Sequence, residues 1–113
     1  MKRILIGALA ASAVPLAAHH GWSEYDSTKP TTLTGKVVAS GYEHPHGHVR
    51  LETPGKTWHV VLAPPSRMEA RGLPPADIGV GKTVSVTGYP NREKAEELRA
   101  ERITANGKTV ELR

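Results

Sequence analysis

From Thr31 to Glu111, apolar and polar residues alternate in short segments separated by turn-forming pairs. A period of two puts successive side chains on opposite faces of an extended backbone, so the chain is constrained to half-buried strands. The first segment is TLTGKVVASGY, with Leu33, Val37 and Ala39 on one face and Thr34, Lys36, Val38 and Ser40 on the other. HGHVRLE turns Val49 and Leu51 inward, and TWHVVLA does the same with Trp58, Val60 and Leu62. Between them Pro54 and Gly55 mark a hairpin turn. The period then changes. In PPSRMEARG, Ser66 is expected as N-cap, Glu69 as its capping-box partner and Gly72 as the stop of one or two helical turns. KTVSVTGYP returns to alternation with Val84 and Val86 inward. A loop or short turn over residues 91–96, a fifth strand from Leu98 to Ala105, an Asn106-Gly107 hairpin turn and a last strand KTVEL complete the chain. Three strands, a short helix and two strands is the order of the five-stranded OB barrel. The expected fold is mainly β: a five- to six-stranded OB-like barrel over residues 31–113, with one short helix between strands 3 and 4.

Residues 1–18 read differently. Lys2 and Arg3 precede an apolar run from Ile4 to Leu16, and Ala17 and Ala18 supply small residues before the polar HHGWSEYD. That is the pattern of a secretory signal peptide, too short for an ordinary membrane span. Cleavage after Ala18 leaves about 95 residues beginning at His19, one small domain with residues 19–30 as an N-terminal arm. The expected compartment is the periplasm or the exterior, without stable membrane insertion after cleavage. Exported domains of this size often carry disulfides, yet the sequence has no cysteine, so packing or a bound ligand must stabilise it. The formal charge of +4 includes Lys2 and Arg3; without them 13 basic residues face 11 acids, leaving +2. That balance, two Trp, three Tyr and no Phe argue against a base-stacking surface, and nucleic acid is not expected as a partner.

The chain resembles the short exported bacterial proteins of domain-of-unknown-function family 6152. The resemblance rests on the AHH junction followed by Glu24, Tyr25 and Asp26, on KPTTLTGKV, HPHGHVRL, the Trp58 strand, Arg71-Gly72 and VTGYP. It implies a secreted β-barrel and no particular activity. His44 stands where relatives typically read Asn.

Six histidines fall in three groups: His19 and His20, then His44, His46 and His48, then His59. Imidazole is the commonest metal ligand. Cleavage before His19 would join its amine and ring on one ion, and cleavage before Ala18 would make His20 the third residue of a square-planar site. Either terminus suits Cu(II). A turn at Pro54-Gly55 pairs Leu51 with Trp58 and Arg50 with His59, which sets His48 and His59 on one outward face as diagonal neighbours. The plainer reading is that these are solvent-facing polar residues. Trp22 is expected to pack on the barrel and anchor the arm, and Asp26 to cap a turn. Only Met68 remains once Met1 is gone, which disfavours Cu(I) and leaves Cu(II), or Zn(II) through three histidines and water.

The leading expectation is a periplasmic metal-binding protein, holding copper or else zinc through His19, His20, His44, His46, His48 and His59 as a scavenger, buffer or delivery partner. The alternative is a metal-independent OB-like module that binds an envelope protein or a small ligand, with Tyr42, Tyr89 and basic residues exposed for contact. No triad context, phosphate loop or close carboxylate pair points to an enzyme.

Overall fold

The structure, a computed structural model, describes residues 21–113. Six strands form one sheet: β1 (Thr31–Gly41), β2 (His48–Thr53), β3 (Lys56–Val61), β4 (Thr83–Pro90), β5 (Glu97–Ala105) and β6 (Lys108–Glu111). Their order is β3-β2-β1-β4-β5-β6, and a further β3–β5 pairing closes the first five into a ring with β6 outside on β5. The closing contact is parallel and short, His59 opposite Glu97, Val60 opposite Leu98 and Val61 opposite Arg99. This is a closed OB-like barrel with one additional strand, as the strand order predicts.

β1 serves both halves of the ring. Its residues 31–36 pair with β4 and its residues 36–41 pair with β2. Gly35 lies at the changeover, where a Cβ would stand 2.1 Å from the Glu52 carbonyl oxygen. Irregular register between Val37 and Ala39 helps bend the strand, leaving Val38 exposed.

The inward row is apolar throughout. Val37, Val49, Leu51, Val60, Val84, Val86, Leu98 and Ile103 are all at most 2% exposed. Burying each such side chain contributes about 1.5–3 kcal/mol before conformational entropy is set against it. The short helix α1 (Pro65–Ala70) directs Met68 into the core, and Leu73 and Ile78 follow it. The N-cap is Pro64, with Pro65 at the first helical position, rather than the expected Ser66. A proline ring preset to helical φ starts the helix two residues early, so no side-chain cap forms.

β6 is held from the other side by this connection. The guanidinium of Arg67 donates to the Leu112 carbonyl at 3.0 Å, and that of Arg71 to the Glu111 carbonyl at 2.8 Å. A 3-10 turn, Pro75–Ile78, has no counterpart in the sequence expectations and places Asp77 3.0 Å from Lys108 Nζ. The β5–β6 turn is Asn106-Gly107 as expected, with φ of 51° and 76°.

Candidate functional site

The β2–β3 hairpin turns where the sequence places the turn, with Gly55 at φ 88°. The register follows: Leu51 opposite Trp58, Arg50 opposite His59 and His48 opposite Val61. Val49, Leu51 and Val60 therefore face the core, while His48, Arg50 and His59 face outward. The His48 and His59 rings lie diagonally across the ladder, 5.5 Å apart between centroids and tilted by 35°.

Two loops border this face. The β1–β2 loop, residues 42–47, is drawn onto the end of β3 by Gly47, whose N–H donates to the Ala63 carbonyl and whose carbonyl accepts from Leu62, both at 2.8 Å. The β4–β5 loop, residues 91–96, is folded by Asn91: its side-chain oxygen accepts from the backbone N–H groups of Glu93 and Lys94, each at 2.9 Å. The Glu96 carbonyl then accepts from the His59 N–H at 2.8 Å, which lays this loop along β3. Between loop and hairpin is an open groove of about 360 Å³ lined by Arg50, His59, Lys94, Ala95, Glu96 and Glu97. Two cations and two carboxylates thus border one half-buried imidazole. Burial holds the His59 pKa below the ordinary histidine value; Glu97 opposes that shift, and His48, Arg50 and Lys94 add to it.

Glu97 joins the groove to the N-terminal arm. Its carboxylate accepts from the Tyr25 hydroxyl and, at 3.3 Å, from the Asn91 amide. Tyr25 is buried, and its pKa is raised first by burial and then by the hydrogen bond to Glu97 and that carboxylate's charge. Trp22 anchors the arm as expected. Its ring has the Arg99 guanidinium at 4.5 Å and that of Arg113 at 4.4 Å, with Tyr25 and Tyr89 against it edge-on. Asp26 caps a turn, accepting from the Thr28 N–H at 3.0 Å and from its hydroxyl at 2.6 Å.

The proposed ligands are thereby sorted. His48 and His59 come together. His46 does not join them: its Nε2 lies 3.3 Å from Arg99 Nη2. A guanidinium only donates, so that nitrogen accepts and its lone pair is directed at Arg99. His44 is exposed in the β1–β2 loop, preceding a cis proline. His19 and His20 lie outside the described residues. Among the described residues, no three His, Cys, Asp or Glu side chains gather as a metal-binding group. Tyr42 and Tyr89, expected to be exposed, are half-buried, and the Tyr42 hydroxyl donates to the Leu73 carbonyl. Lys94 and Glu97 were not singled out in the sequence, although the charged run NREKAEE between two strands is the signal that marks them.

Barrel, short helix, flanking loops and outward groove define an OB-like β-barrel domain. The chain belongs to the family of unknown function DUF6152, which matches residues 8–99. No curated protein matches the sequence. Among solved structures, the chain is similar to a protein in the crystal structure of a complex of TiaS with an isoleucine tRNA and ATP, with a TM-score of 0.51 and 20% identity over 79% of this chain. It spans 20% of that protein's length. At that identity the likeness bears on the fold. It also corrects the expectation that nucleic acid is excluded as a partner: a barrel of this fold occurs in a protein solved with tRNA, so sparse aromatics and modest charge do not rule that class out.

Proposed function

We propose that this protein is an exported binding module that takes a small polar ligand, or a polar segment of an envelope protein, in the groove between β3 and the β4–β5 loop. The supporting observation is the groove's position and lining. OB barrels commonly bind through the face of strands 2 and 3 and the loops joining strands 1–2 and 4–5, and this groove lies there. Arg50 and Lys94, lining the groove together with Glu96 and Glu97, suit a ligand with charges of both signs, such as a short peptide, more than a polyanion. The signal-like sequence of residues 1–18 supports export. A many-histidine copper buffer is the less supported reading, because His46 is engaged by Arg99 and no three-ligand group forms among the described residues.

Amide chemical-shift mapping with short zwitterionic peptides tests the proposal. Shifts are expected to cluster on Arg50, His59 and residues 94–97, and to vanish in an Arg50→Ala, Lys94→Ala double variant that keeps its fold. Shifts confined to another face, or none at millimolar peptide, would overturn it.

A further inference from the structure

We infer that His48 and His59 form a two-imidazole half-site for a divalent transition-metal ion of borderline softness, Cu(II) or Zn(II), open toward solvent. This site adds to the ligand groove and does not depend on a peptide binding there.

The geometry carries the inference. Two imidazoles bound to one ion at about 2.0–2.1 Å per nitrogen have centroids roughly 5–6 Å apart. The observed separation is 5.5 Å. Both side chains arise from paired strands, with Val49 opposite Val60 between them in the ladder, so the fold has already ordered the backbone that a chelate would otherwise have to fix.

The donor set selects the ion. Two nitrogens without a ring of oxygens do not suit Ca(II) or Mg(II). Cu(I) prefers sulfur, and Met68, fully buried against Gly47 and the core, is not on this face. Arg50 and Lys94 oppose a cation, but both are exposed and are screened by salt, while Glu97 faces His59 from β5. Two ligands leave the remaining coordination positions to water or to a donor atom of a molecule in the adjoining groove.

The test uses the full chain carrying His19→Ala and His20→Ala, so that the amino-terminal imidazoles cannot compete. Titration with Zn(II) alone by calorimetry, and with Cu(II) alone by electron paramagnetic resonance, is expected to show one ion per chain and nitrogen hyperfine structure. Adding His48→Gln or His59→Gln should weaken binding by at least about tenfold, the loss that even an outer-shell partner can produce. Unchanged circular dichroism would show that these variants fold. Equal affinity after both replacements, or no ion bound by the starting chain, overturns the inference. Peptide shifts at residues 94–97 are measured without metal, so a failed half-site and a failed ligand groove give separate results.

Discussion

Tyr25 shows how one side chain can tie an arm, a loop and a strand together. Its ring is 5% exposed, and its hydroxyl donates to Glu97, which also borders the groove. Burial, the hydrogen bond to Glu97 and the second anion that ionisation would set beside that carboxylate together put the folded pKa of this phenol above the ordinary value of about 10. For a group raised in this way, the stabilisation is fully present below the unfolded value and is lost as pH rises through the folded one. Denaturant unfolding is therefore expected to show a steep loss of stability above about pH 10. Tyr25→Phe should start about 1.5–3 kcal/mol lower at neutral pH and lose less on the alkaline side. Tyr42 and Tyr89 are also raised, so the difference between the two chains isolates Tyr25. The His48–His59 pairing was legible in the sequence because a two-residue turn sets strand register and register sets faces. Arg99 was not: it points outward from β5 as alternation requires, yet is 8% exposed because Trp22 lies over it. No local pattern announces a tryptophan arriving from the far end of the chain.

Among the elements, β4 and β5 are joined with the least room to spare. Their register shifts between Thr87 and Gly88, and a Cβ on Gly88 would stand 2.0 Å from the Arg99 carbonyl oxygen and 2.8 Å from the Ala100 Cα. Both obstacles are backbone, so neither can rotate aside. Gly88→Ala is expected to cost about 3 kcal/mol or to prevent folding, measured as a drop in the urea midpoint or a loss of soluble protein. Strand positions and most inward residues were readable from alternation, since Val84, Val86 and Leu98 sit where period two puts them. Alternation also puts Val38 outside, where it is found, but the slip in register between Val37 and Ala39 leaves no mark of its own on that pattern. The helix start differs from expectation for a related reason. Ser66 and Glu69 have capping-box spacing, but Pro65 had already set the first helical φ.

For the molecule as a whole, closure depends on three residue pairs between β3 and β5. They join segments distant in sequence, so the loop entropy of bringing them together must be met by the side chains they bury. Leu98 opposite Val60 is the fully buried centre of that join. Leu98→Ala is expected to lower stability by about 2–5 kcal/mol in one cooperative transition, read by calorimetric and spectroscopic melts that coincide. The OB-like architecture was readable from element order alone, because few closed barrels have that succession of strands and helix. The groove's chemistry was only partly readable. Arg50 and His59 lie on patterned strands, whereas Lys94 is placed by the Asn91-folded loop, whose path alternation does not encode, and Glu97 is the first residue of β5, one before the strand start expected at Leu98.

The seam and the groove share residues: His59 and Glu97 form the first pair of the parallel join and also line the cleft. A molecule that grips both side chains would rivet the cylinder where its two ends meet. Its affinity and the rate at which the cylinder springs open would then vary inversely, so occupancy could be followed by solvent exchange of the Val60 and Leu98 amides.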